Sequence, residues 1–309
     1  MDYSVTIMIP AFNQPKYIAQ AVASALDQDY DNLEVIVADD STDTETETAL
    51  LPYITNKKLT YFKNDRRLGR VENYRQLLNR LARGSWVIML DGDDYFLDRR
   101  YVSRAIQFIR EDSSIVLVGA GIRVLNEATQ RSESFGLTDH TVVFDGKEVF
   151  SKYNRLPNHQ TDLYRRDLAQ KLDFYRHPST GSDSESLFRL CLHGKVAYLA
   201  EDVAVWRIHS SNTTFVHDIN KQIKELSFID SVYSYSLQFL DKETAGKWRT
   251  NMYRSMVMHL LSISGSAKKH LASIRIIVQY GKFIGLKLSA VYLLRTVGFY
   301  KQPSTSITN

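Results

Sequence analysis

Three carboxylates in four residues, Asp91, Asp93 and Asp94, follow directly on the apolar run Trp86–Leu90. Like charges so close repel one another, and they are tolerable where a cation, or a ligand carrying one, neutralises them. A second acidic group, Asp39-Asp40-Ser41-Thr42-Asp43, ends the apolar run Leu33–Ala38. Asp183 and Glu185 open a helical pattern in which Leu187, Leu190 and Cys191 face inward, and His209 follows the strand-like run Val203–Ile208. Carboxylates so placed can ligate a hard divalent cation or take a proton as general bases. Each also has a plain structural role open to it: Asp39, Asp94, Asp98 and Asp183 as helix caps, and His209 as a packed histidine.

The elements that must hold these groups are legible from periodicity. Unbroken apolar runs suit strands buried on both faces of a parallel sheet, so the acids sit where strands leave it, the place where open α/β sheets bind ligands. Val5–Ile9 reads as a first strand closed by Pro10, and Asn13-Gln14-Pro15 as a helix start with proline in its first turn. Ile18, Ala21, Val22, Ala25 and Leu26 recur at helical spacing. Leu33–Ala38 is a second strand, a short helix follows the Thr/Glu-rich stretch, and Leu59–Lys63 is a third strand. Val71, Tyr74, Leu78 and Leu81 mark a helix leading to Gly84 and the strand Trp86–Leu90. This alternation predicts a parallel sheet with right-handed crossovers. Beyond it come a helix over Tyr101–Ile109, a strand at Ile115–Gly119, and a polar connection or hairpin over 127–141. Leu163 opens a new ordered stretch, and a loop over Ser179–Asp183 leads into a helix capped at His193-Gly194. Two short strands follow, Val196–Leu199 and Val203–Ile208.

At 309 residues, with 44% hydrophobic and 24% charged, the chain has material for one large domain plus an appendage. A single cysteine, Cys191, excludes an intramolecular disulfide framework, fits a reducing compartment and reads as a buried small apolar residue. The start Met1-Asp2-Tyr3-Ser4 leads straight into a strand pattern, so no signal peptide is expected. Charge is uneven: residues 244–309 hold ten bases and no acid, leaving 29 bases against 35 acids, a net −6, in residues 1–243.

Five motifs in order and spacing resemble the family 2 glycosyltransferases: Val5 to Asn13, Asp39-Asp40-Ser41, Gly84 to Asp94, Asp183 with Glu185 and Arg189-Leu190, and Arg207-Ile208-His209. The resemblance covers roughly residues 4–212 and implies the GT-A fold, an α/β architecture whose Rossmann-like, mainly parallel central sheet is flanked by helices, here with a C-terminal helical extension. The domains expected are a glycosyltransferase domain over 1–215 and a basic helical region over 216–309.

The resemblance further implies an inverting, metal-dependent transferase that moves a sugar from a nucleoside diphosphate, a UDP-sugar by preference, to a hydroxyl of a glycan or glycolipid acceptor in cell-surface polysaccharide synthesis. The cofactor implied is Mn²⁺ or Mg²⁺, with the nucleotide-sugar as co-substrate. By the same resemblance Pro10, Phe12, Asn13, Asp39, Gly69, Asp91, Gly92 and Asp93 form the donor site, Asp39 accepting from the ring N–H of uracil. Asp93 and His209 take the metal, and Asp183 is the general base. The family commonly has Glu where Ser182 stands, which leaves Glu185 open as an alternative base, and Arg67 replaces a usual Asn in a loop with Arg66 and Arg70. These arginines face phosphates, acceptor or water.

Rival classes fit less well. A haloacid-dehalogenase-like phosphatase would end its first strand in the nucleophile, where this chain has Ile9-Pro10. A nucleotidyltransferase would carry a Gly-rich basic loop there, and a non-catalytic sugar-nucleotide-binding subunit would not need Asp93 and Asp183 together. In the tail, Ile263, Leu271, Ile274, Ile277 and Val278 follow helical spacing among bases, and Tyr280, Tyr292 and Tyr300 accompany them. Its apolar runs are too short to span a bilayer. They fit docking on anionic lipid, implying a cytoplasmic protein peripheral at the inner face of the membrane. A helical cap or a homo-oligomer interface is the alternative, and nucleic acid is not expected as a partner.

Overall fold

Apolar runs that carry no polar interruption become the buried centre of one sheet. The structure, a computed structural model, describes residues 2–179, 181–212, 219–266 and 270–296. Met1, Thr180, Lys268, Lys269, Tyr300 and Lys301 lie outside the described residues, as do the side chains of Ile263 and Arg295. The chain divides into two compact units, Met1–Thr214 and Phe215–Asn309.

In the first unit the elements run β1 (Val5–Ala11), α1 (Ile18–Leu26), β2 (Leu33–Asp39), α2 (Glu45–Leu50), β3 (Leu59–Lys63), α3 (Arg70–Gln76) with a π-helical turn Leu77–Leu81, β4 (Trp86–Met89) and β5 (Tyr95–Phe96). They continue as α4 (Tyr101–Glu111), β6 (Ile115–Asn126), β7 (Arg131–Phe135), β8 (Val142–Asp145), β9 (Leu163–Arg165), α5 (Arg166–Lys171), α6 (Ser182–Cys191) and β10 (Lys195–Ile208). The sheet order is β3-β2-β1-β4-β9-β6-β10-β5, with β7 on β6 and β8 on β10. The block β3-β2-β1-β4 is parallel. Beyond it β9 runs antiparallel to both β4 and β6, and β10 parallel to β6. All seven residues of β1 are buried, as its central place requires.

Strand β1 runs past Pro10 to Ala11. Pairing with β4 ends at Met8–Met89, so the missing N–H of Pro10 falls on the side where no ladder remains. Helix α1 starts at Ile18, three residues after Pro15, because Asn13 takes a left-handed conformation (φ 53°) and donates its N–H to Ser41 Oγ at 2.7 Å. The polar stretch 127–141 does hold a hairpin, β6–β7. The two strands expected at Val196–Leu199 and Val203–Ile208 form one, β10, with register shifts between Leu199 and Ala204 that let Glu201 face water.

The second unit comprises α7 (Ile219–Glu225), α8 (Ser227–Ser236), α9 (Lys242–Ser266), α10 (His270–Ile284) and α11 (Leu286–Thr296). Trp248, Val257, Leu260 and Leu261 of α9 are buried, and α9 packs on α8 and α10. Gly285, at φ +82°, separates α10 from α11. Among the described residues no helix is long and apolar enough to cross a membrane.

Candidate active site

The ends of β1, β2 and β4 open into a cleft of about 430 Å³. Its walls include Pro10, Phe12, Asn13, Asp40, Arg67, Gly69, Arg70, Tyr74, Asp91, Gly92, Asp93, Asp94, Trp206, His209 and Asn212. At the end of β4 the chain turns sharply, closed by the Asp94 N–H to Asp91 O hydrogen bond of 2.9 Å. Gly92 permits that turn to lie against the start of α1: a Cβ there would meet Gln14 Oε1 at 2.5 Å and Pro10 O at 3.0 Å.

Each acid of the turn is held differently. Tyr74 donates its hydroxyl to Asp91 Oδ1 at 2.6 Å. Asp93 Oδ2 lies 3.1 Å from His209 Nε2 and accepts from Asn212 Nδ2 at 3.4 Å. Asp94, buried, accepts the Arg207 N–H at 2.9 Å, while the Arg207 guanidinium donates to Asp93 O from between the rings of Tyr17 and Tyr95. His209 is fixed by stacking on Tyr17, with ring centroids 4.6 Å apart, and by Ser211 Oγ, 2.9 Å from Nδ1.

Burial, with the charge of Asp91 beside it, pushes the Asp93 carboxyl above its ordinary value against the opposing pull of His209. Burial and the two neighbouring acids push Asp94 higher still. The carboxylate oxygens of Asp91, Asp93 and Asp94 lie within 4.8 Å of one another. Hard oxygen donors this close repel one another and fit a divalent cation that would relieve the repulsion, and His209 stands at the same edge.

Asp39 and Asp183 are not in the cleft wall. Asp39 is buried: Oδ1 accepts from the Ser41 N–H and hydroxyl, and Oδ2 from Tyr61 at 2.8 Å and Lys63 at 2.9 Å. A carboxylate has about four lone-pair sites, so Asp39 is full. Asp40 does face the cleft. Its Oδ1 accepts from Leu68 N and Asn64 Nδ2, and its Oδ2, among the described residues, from Gly69 N only. One acceptor site is left over. Asp183 occupies the first turn of α6, where its Oδ1 accepts the Ser184 N–H at 2.7 Å. Together with burial and Asp91, its charge helps hold the Tyr74 phenol well above its ordinary range. Glu185 is fully buried and bridges Arg189 at 2.8 Å and Arg176 at 3.1 Å.

Tyr17, Tyr74, Trp206 and Asn212 line the cleft too, and carry no signal in sequence that separates them from core or loop residues. Of the three loop arginines, Arg67 and Arg70 line the cleft and Arg66 does not. Arg67 lies over the Phe12 ring at 4.2 Å.

Comparison with known proteins gives the family and the fold. The model of glycosyl transferase family 2 matches residues 6–173. Chondroitin synthase of Escherichia coli is 34% identical over 114 residues, which is 37% of this chain and 16% of that enzyme. The chain thus spans a small part of that relative's length. TarS 1–349 of S. aureus, solved in complex with UDP-GlcNAc, superposes with a TM-score of 0.72 at 17% identity, over 94% of this chain and 85% of that one. The mannosyltransferase PcManGT of Pyrobaculum calidifontis, solved with GDP-Man and Mn²⁺, superposes with a TM-score of 0.57 at 16% identity, over 96% and 86%. These two likenesses show the fold. The chain belongs to glycosyl transferase family 2 and is a glycosyltransferase.

Proposed function

We propose that the cleft binds a UDP-sugar and that the chain transfers the sugar, with inversion, to a hydroxyl of a glycan or glycolipid in surface-polysaccharide synthesis. The observation that carries this reading is the meeting, in one cleft, of an aromatic face with a vacant carboxylate acceptor site, two arginines, and the acidic turn Asp91–Asp94. A UDP-GlcNAc complex of a protein with this fold supports the choice of donor, and a relative called chondroitin synthase supports the class of acceptor.

In this reading Phe12, flanked by Arg67, lies along the base, and the remaining site on Asp40 accepts the uracil ring N–H. Asp39 instead braces Ser41 and Lys63, and so fixes the loop from which Asp40 projects. Asn13, Pro10 and Gly69 shape the walls. Arg67 and Arg70 face the diphosphate. Asp91, aimed by Tyr74, takes the ribose. Asp93 and His209 would hold Mn²⁺ or Mg²⁺, with Asp94 in support; when bound, such an ion neutralises charge growing on the departing diphosphate.

Asp183 accepts the proton of the acceptor hydroxyl as the new oxygen–carbon bond forms on the face opposite the diphosphate. The anomeric carbon–oxygen bond breaks, and its electron pair leaves with the diphosphate. A carboxylate is basic enough because the proton is lost only as the bond forms. Glu185, locked between two arginines, is less suited.

The test is Asp183→Asn. Transfer should fall by about 10²–10⁴-fold while thermal stabilisation by UDP with Mn²⁺ stays near that of the wild type. An unchanged rate would move the base elsewhere.

A further inference from the structure

Helix α10 has two faces, and among the described residues of the second unit only one of them is buried. Ser273, Ile276, Ile277 and Ile284 are buried, and the inner side is pinned to α9 by the Ser264–Ser273 hydroxyl pair at 2.6 Å and by Phe283 stacked on Tyr253 at 4.1 Å. On the opposite side stand Leu271, Arg275, Val278 and Lys282, all exposed. At 3.6 residues per turn these four fall within about 60° of arc. Leu271 is 85% exposed and Val278 81%, so the two apolar side chains of this stripe add nothing to the core. Sequence periodicity grouped Leu271, Ile274, Ile277 and Val278 as one amphipathic pattern; the packing on α9 buries Ile276 and Ile277 and leaves Leu271 and Val278 outside.

The pattern continues after Gly285. Leu286 is 91% exposed and is followed by exposed Lys287, and Leu293 lies two turns on along the same side of α11. Single exposed apolar side chains are ordinary, but a repeated stripe of them is not. A stripe that alternates large apolar side chains with bases, in a segment of ten bases and no acid over residues 244–309, is complementary to a surface that is apolar beneath and anionic above.

We infer that the outward face of α10 and α11, centred on Leu271, Val278, Leu286, Lys282 and Lys287, is a docking surface for an anionic lipid bilayer. The leucines and valine enter the headgroup–acyl boundary while the bases, on long stems, meet lipid phosphates. The surface deepens the proposed role in envelope glycan synthesis by supplying a membrane partner, yet it stands on the second unit alone and is tested without turnover.

The experiment is sedimentation of the full chain with vesicles of phosphatidylcholine, or of phosphatidylcholine mixed with phosphatidylglycerol. The wild type should sediment with the anionic vesicles, less so as salt is raised, and weakly with the neutral ones. Leu271→Ser/Val278→Ser/Leu286→Ser removes exposed side chains only, so its melting temperature should match the wild type while partitioning drops at least about tenfold. Lys282→Glu/Lys287→Glu should also bind less and lose most of the salt dependence. Equal partitioning of the triple variant, or no vesicle binding by the wild type, overturns the inference. So does a dimer in light scattering that the triple variant dissolves while vesicle binding is absent. Sugar transfer to a soluble acceptor plays no part in these readings, so failure here and failure of the enzymatic assignment are distinguishable.

Discussion

Asp39 and Asp40 are neighbours of identical chemistry whose surroundings separate their work. Asp39 spends every acceptor site on Ser41, Tyr61 and Lys63, and Asp40 keeps one facing the cleft. Asp40→Asn should therefore weaken UDP binding about tenfold in calorimetry, with a stability cost of about 1–2 kcal/mol because the new amide N–H would face a donor. Asp39→Asn should cost about 2 kcal/mol of stability in urea unfolding and leave the affinity of the folded protein for UDP near that of the wild type. Equal effects of the two on affinity would return the base contact to Asp39. The sequence shows the acidic pair at a strand end but not which member faces the ligand, since successive side chains alternate and the register alone decides. Asp162 offers a second residue-level expectation. It is fully buried, neither carboxylate oxygen has a hydrogen-bond partner among the described residues, and burial, with the charge of Asp183, pushes its carboxyl well above the ordinary value. Burial thus favours its protonated form in the folded chain, and the stability this gives is full below the unfolded value of about 4 and is lost as pH rises toward the folded one. Asp162→Asn removes that slope, so its stability relative to the wild type should grow by up to about 1.4 kcal/mol per pH unit above pH 4. A gap that does not change with pH would mean that Asp162 is ionised.

Strand β10 leads Arg207 and His209 to the acidic turn, and helix α6 holds Asp183, in arrangements that their own residues do not reveal. In α6 the ion pair Glu185–Arg189, with both side chains almost wholly buried, anchors the helix under Asp183. Arg189 also donates to the carbonyl of Leu172, tying α6 to the segment after α5. Glu185→Ala leaves the guanidinium without its buried partner and should cost about 3–5 kcal/mol in denaturant unfolding, with transfer lost only as far as the protein unfolds. A stable, inactive Glu185→Ala would point to Glu185 as the base after all. The pattern Glu-x-x-x-Arg is visible in sequence, but its burial depends on the packing of neighbouring segments. Strand β10 was legible only as two fragments because Glu201 and Asp202 imitate a turn; the register shifts keep the strand whole and bring Arg207 and His209 to the acidic turn. Likewise the face that α10 buries is chosen by α9 and not by its own periodicity.

Across the whole molecule, the parallel block β3-β2-β1-β4 and the placing of acids at its strand ends were readable, since both follow from uninterrupted apolar runs that end in charge. The antiparallel additions, β5 and β7 to β9, were less so, being short or polar and stabilised by partners distant in the chain. The cleft draws its walls from β1, β2, the loop before α3, β4 and the end of β10, so no single stretch contains it. The proposed function requires these walls to hold a nucleoside diphosphate together with a divalent cation at the acidic turn. Calorimetric titration of UDP into the full chain, with Mn²⁺ and with chelator, for the wild type and for Asp93→Ala, tests this most directly. Mn²⁺ should tighten UDP binding to the wild type by at least about tenfold and leave Asp93→Ala unaffected. The same affinity for UDP in all four titrations would contradict it.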